Sequence, residues 1–120
     1  MKDIVAEIER AAVRGTVIPK PNPRGNHVVE GWAQRNGERA LAYTMPNHTG
    51  GTRHRKTVTE SEWAEAYQRL VEEGEFTRAW FREAMVDCNA NGPCNFTTIG
   101  GVFKLIGIAE YAFPGTYTKA

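Results

Sequence analysis

The chain has 120 residues, 41% of them hydrophobic and three of them tryptophan, which suits a single globular domain over 1–120 and leaves no room for several. Its formal net charge of +1 hides a division at Val58: ten Lys/Arg stand against five Asp/Glu up to that residue, and five against nine after it. The balance excludes a strongly basic protein throughout and directs the search for an anionic partner to the first part.

The opening "MKDIVAEIERAAVRG" is charged every few positions, so neither a signal peptide nor a membrane span is expected there. A cytoplasmic protein with no membrane partner follows as the expectation. Ile4, Val5, Ile8, Ala11 and Ala12 share one side of a helix within residues 1–15, which Gly15 ends. "TVIPKPNPRG" is an extended linker, because Pro19, Pro21 and Pro23 exclude helix.

Residues 27–45, "HVVEGWAQRNGERALAYTM", predict two strands joined at Asn36-Gly37, the dipeptide favoured in type I′ hairpins. Counting outwards from that turn sets Trp32 opposite Leu41, Glu30 opposite Tyr43 and Val28 opposite Met45, giving one large apolar face. Glu30 is the misfit on it. Either it stands at the sheet margin in water, or Tyr43 partners it as an acid or base. Pro46 to Lys56 reads as a polar loop holding His48, His54 and the cationic cluster Arg53, Arg55 and Lys56.

Thr59 and Glu62 form a capping box for a helix over 59–73, with Val58 and Trp63 spaced as a hydrophobic staple. A second helix follows from Thr77 to about residue 86, with Arg78 and Arg82 together on one side. Cys88 and Cys94 lack the further ligands that a metal site needs and read as ordinary reduced thiols, so neither metal nor cofactor is expected. Asn95 caps a third helix, "NFTTIGGVFKLIG", and a hairpin closes the chain over 109–119.

That third helix poses the sharpest question, since each interior glycine costs about 1 kcal/mol relative to alanine. On a helical wheel Ile99, Val102, Phe103 and Ile106 gather inward, whereas Thr97, Gly100, Gly101, Lys104 and Gly107 fall on the opposite arc. A bare arc admits another backbone closely. Nucleic acid could use it at the helix amino end, as could a crossing helix of this chain or of a second copy in a homodimer. Alternatively, "FTTI" is a strand and the glycines form a turn.

Taken in order, three helices and a terminal hairpin over 59–119 resemble a winged helix-turn-helix domain. The implied fold is α+β, with the N-terminal helix and hairpin packed on a three-helix, winged-helix-like half. The resemblance implies Thr97, Thr98, Gly101 and Lys104 as the recognition surface, with Arg78 and Arg82 on phosphates. Together with Arg53, Arg55 and Lys56 these residues give the leading expectation, a small nucleic-acid-binding module contacting the phosphate backbone. Two others stand beside it. One is a small-molecule or protein-binding domain whose pocket is lined by Trp32, Tyr43, Trp63, Tyr67 and Trp80. The other is a hydrolase or nuclease with His48 or His54 as general base and Glu30 or His27 nearby.

Overall fold

The structure, a computed structural model, describes residues 3–22 and 25–120. Pro23 of the expected linker and the first two residues of the expected 1–15 helix lie outside them. In chain order, α1 (Ile4–Ala11) and β1 (Val17–Ile18) precede β2 (His27–Arg35), β3 (Glu38–Met45) and β4 (His54–Thr59). Then come α2 (Glu60–Glu73), β5 (Glu75–Thr77), α3 (Arg78–Ala84), α4 (Val86–Asn91), α5 (Asn95–Leu105), β6 (Ala109–Phe113) and β7 (Thr116–Lys119). The strands make two antiparallel sheets, one ordered β1-β2-β3-β4 and the other β5-β7-β6. Helix α5 touches both, meeting β1 and β4 of the first and β6 of the second.

This architecture is α+β, but it corrects the expectation of an N-terminal helix and hairpin on a three-helix, winged-helix-like half. The N-terminal part is a four-stranded sheet, and five helices stand among the described residues. The elements missed are those with muted patterns. β4 begins with charged residues because its first half is exposed at a sheet edge, where charge guards against edge-to-edge pairing. Only Thr57, Val58 and Thr59 of it are buried, so "HRKTVT" reads as loop until a partner strand is known. β5 and α4 are too short, at three and six residues, to establish a period.

The β2–β3 turn has Asn36 and Gly37 at φ of 53° and 76°, as a type I′ turn requires. Pairing holds from Arg35↔Glu38 through Trp32↔Leu41 to Gly31↔Ala42 and then slips, so that Val29 faces Tyr43 and Val28 faces Thr44. Glu30 is the residue left over. A bulge at this point, next to Gly31 at φ 143°, removes the carboxylate from the core face and replaces it there with Val29. Glu30 then reaches Arg55 of β4 at 2.7 Å. The alternative in which Tyr43 partners Glu30 as an acid or base is thereby excluded, and the carboxylate is half-exposed.

Helix α2 carries the capping box expected of it: Glu62 N–H donates to Thr59 Oγ1 at 3.3 Å, and Thr59 N–H donates to Glu62 Oε1 at 2.9 Å. Glu62 also pairs with Arg35 of β2, tying the helix start to the first sheet. The core runs from α1 through Leu41, Val58 and Trp63 to an aromatic group in which Phe76, Phe81, Phe96, Phe103 and Tyr117 contact one another.

Over residues 98–103 both sides of α5 are buried, and this answers the glycine question. A side chain at Gly100 would place its Cβ 2.5 Å from Tyr117 Cδ2 and nearer still to the hydroxyl end of that ring. At Gly101 it would lie 2.7 Å from Ile18 Cγ2 and closer again to the Pro19 carbonyl oxygen. The bare arc is therefore the face on which β7 and the end of β1 approach the helix, with hydrogen the largest substituent that fits.

Candidate functional site

Two of the residues expected to meet a phosphate backbone are inside the protein. Gly101 lies under β1, and Thr98 is fully buried with its Oγ1 2.7 Å from His27 Nδ1. Four of the cations are engaged with the protein itself. Arg53 donates to Thr44 Oγ1 and to the Asn26 carbonyl, both at 3.0 Å, and Arg55 holds Glu30. Arg78 lies 4.6 Å from the Phe96 ring centroid and donates to the Pro93 carbonyl at 3.1 Å. The stem of Lys56 packs over Gly92, where an added Cβ would meet it at 3.0 Å. Thr97 donates to the Cys94 carbonyl at 3.1 Å, while Arg82 and Lys104 are exposed. The docking surface proposed on the glycine arc is thus not open.

The other expected groupings separate as well. His48 and His54 are exposed, whereas His27 is 1% exposed inside β2. Tyr43 and Trp63 have no exposure and belong to a filled core. An open apolar groove of about 430 Å³ between α1 and α2 takes only Tyr67 from the expected aromatic set.

What the fold does bring together surrounds the amino end of α5. Cys94 immediately precedes the helix, and its side chain makes no cap hydrogen bond. The sulfur is half-buried, 3.2 Å from the Tyr43 hydroxyl oxygen and 3.6 Å from Met45 Sδ, both residues of β3. Asn95, fully buried, fixes the direction of these bonds. Its Nδ2 donates to the Cys88 carbonyl at 2.9 Å and to Asn91 Oδ1 at 3.1 Å, which leaves Oδ1 to accept from Tyr43 at 2.6 Å. Tyr43 has one proton and spends it there. In its contact with the thiol, the phenol oxygen is therefore the acceptor.

A second layer supports the first. The His27 ring stacks on Tyr43 with centroids 5.0 Å apart, and its Nδ1 meets Thr98, one turn along α5 from Cys94. Burial above all, and then the charges of Lys20 and Arg53, holds the His27 imidazole down at about 4, so it is neutral at physiological pH. Burial also raises the Tyr43 phenol well above its ordinary value, with the neighbouring Cys94 adding to the effect. Arg78 stands beside the site, donating to the carbonyl of Pro93, the residue before Cys94, at 3.1 Å. The result is a half-exposed sulfur at a helix amino end, among positive groups and beside a hydrogen-bonded polar cluster. Reactive cysteines occupy surroundings of this kind.

Sequence reasoning passed over Cys94 because it tested the cysteines for metal-ligand spacing. A cysteine directly before a predicted helix amino end was the available signal. Its partners Tyr43 and Arg78 lie 51 and 16 positions away in the chain, and no local pattern joins them. Comparison of the chain with protein-family models, curated proteins and solved structures finds no match.

Proposed function

We propose that the protein works through the Cys94 thiol, as a site that forms a covalent bond with an electrophile carrying negative charge. The observation that carries this reading is the placement of Cys94 Sγ, half-exposed at the amino end of α5, 3.2 Å from the Tyr43 oxygen and next to the Pro93 carbonyl that holds Arg78. The sulfur supplies the electron pair for the new bond, its proton passes to solvent on the exposed side of the site, and the bond to the departing group breaks, that group leaving with the bond's electron pair and taking a proton from solvent. Tyr43 orients the sulfur, and neutral His27 belongs to the layer that holds Tyr43 in place. The cations attract the anionic substrate and stabilise negative charge that develops during attack. Cys88, by contrast, is 1% exposed and its thiol is pushed up by burial, so it takes no part.

Alkylation of the intact chain tests the assignment. Cys94 is expected to react and Cys88 to be spared, with site occupancy read by peptide mass spectrometry. The rate ratio of anionic iodoacetate to neutral iodoacetamide at Cys94 is expected to exceed that of the urea-unfolded chain by about threefold and to fall with added salt. Equal ratios in the folded and unfolded chain, or a Cys94 as slow as Cys88, overturn the reading.

A further inference from the structure

Strand β4 sets one cation on the same side of the first sheet as the candidate thiol. Lys56 stands directly opposite Tyr43 in the β3–β4 pairing, and residues paired in this way project from one face with their side chains in reach of each other. Tyr43 carries its hydroxyl oxygen to within 3.2 Å of Cys94 Sγ. Arg55, next to Lys56 in the strand, projects from the opposite face and is held by Glu30.

The turn before α5 fixes where the Lys56 side chain ends. A Cβ built on the buried Gly92 would lie 3.0 Å from Lys56 Cδ, 3.3 Å from Lys56 Cε and 3.2 Å from Cys94 Sγ. The far end of the lysine stem and the sulfur therefore press on one point, no more than two contact distances apart, and the ammonium is a single bond beyond. A side chain at position 92 would press both aside. Lys56 is half-buried, yet its ammonium makes no hydrogen bond or ion pair among the described residues. The cations around it are engaged: Lys20 donates to the Gly25 carbonyl at 3.0 Å, Arg53 to that of Asn26 and Arg78 to that of Pro93.

We propose that Lys56 selects the substrate of Cys94, its ammonium pairing with the anionic group of the electrophile while the sulfur attacks the carbon beside that group. The inference rests on the thiol reading and names the class of compound it takes. With sulfur and ammonium so close, the charge belongs on or next to the carbon that reacts, so a short acid with its leaving group beside the carboxylate fits and a charge at the far end of a long chain does not. The sulfur–carbon bond forms, the thiol proton passes to solvent, and the leaving group departs with its electron pair. The carboxylate keeps its charge and its partner throughout. A stem already held by packing leaves Lys56 little freedom to lose on pairing.

Alkylation of the full chain, followed at Cys94 by peptide mass spectrometry, tests the assignment with three probes. Iodoacetate bears its carboxylate on the reacting carbon, iodoacetamide is its neutral counterpart, and N-(carboxypentyl)iodoacetamide carries the charge many bonds away. Lys56→Met keeps the stem over Gly92 without its charge. It is expected to lower the iodoacetate rate about threefold, the order of an exposed ion pair, and to leave the iodoacetamide rate near that of the wild type. Lys56→Arg is expected to retain the wild-type ratio of the two, and N-(carboxypentyl)iodoacetamide to react with the folded chain no faster than iodoacetamide. A raised wild-type ratio that Lys56→Met preserves overturns the assignment and leaves the thiol reading standing. Equal loss of both rates in that variant overturns it too, by reducing Lys56 to a packing role, as does a distant carboxylate that accelerates alkylation as much as a near one. A wild-type ratio no higher than that of the unfolded chain removes both ideas together.

Discussion

A methyl group is the smallest probe of how α5 is packed, and Gly100 and Gly101 give it opposite signs in two environments. On an open helix face, replacing either glycine with alanine adds about 1 kcal/mol of stability through helix propensity. In the observed packing the new Cβ collides with the Tyr117 ring or with the Pro19 carbonyl, and overpacking costs about 1–3 kcal/mol. Thermal unfolding of Gly100→Ala and Gly101→Ala should therefore show lowered midpoints. Gly101→Ala should lose more, since backbone at Pro19 yields less readily than a ring. A raised midpoint in either variant would return that glycine to an open surface. The glycines themselves were plain in the sequence, and the helix around them was one of two readings, the other being a strand and a turn. Which neighbour covered them was not, because Tyr117 and Pro19 are distant in the chain and neither carries a mark of the contact.

Among the elements, the start of α2 shows local chemistry and long-range contact acting on one side chain. Glu62 completes the capping box with Thr59, a relation between neighbours that the spacing reveals, and also pairs with Arg35 of β2, which no spacing reveals. Thr59→Ala removes the hydroxyl acceptor for the Glu62 N–H and is expected to cost about 1 kcal/mol in urea unfolding, with Thr59→Ser recovering most of it. A neutral alanine substitution would mean that the Arg35 contact alone sets the helix start. Strand β2 teaches the complementary lesson. Its turn and the pairing nearest the turn follow from Asn36-Gly37, but beyond Gly31 strict alternation would place a carboxylate in the core. The bulge at Glu30 resolves that conflict, and its position depends on Arg55 and Tyr43 as much as on β2 itself.

At the scale of the whole molecule, His27 joins the first sheet to α5 through Tyr43 and Thr98, and its titration reports on that junction. An unfolded histidine titrates near its ordinary value of 6.5, while burial, then Lys20 and Arg53, hold the folded one at about 4. Between those values the unfolded chain binds a proton that the folded chain does not. Stability is thus fully present above about pH 6.5, falls as the pH drops toward 4 and levels off below, by about 1.4 kcal/mol for each unit of separation. Urea midpoints measured from pH 7 to pH 4 should fall in this direction, and His27→Gln should flatten the upper part of the curve. An equally steep curve in the variant would assign the loss to carboxylates instead.

By itself the sequence determined what neighbouring residues settle among themselves: the Asn36-Gly37 turn and the cap of α2. Tertiary structure alone decided what lies against what. It covered the glycine arc, converted a charged loop into the edge strand β4, and set Cys94 beside Tyr43 and near Arg78. The physical reason is range. Turn dihedrals, caps and periodicity are satisfied within a few residues, whereas burial, sheet pairing and the field at a sulfur depend on groups that only the folded chain brings within a few ångströms.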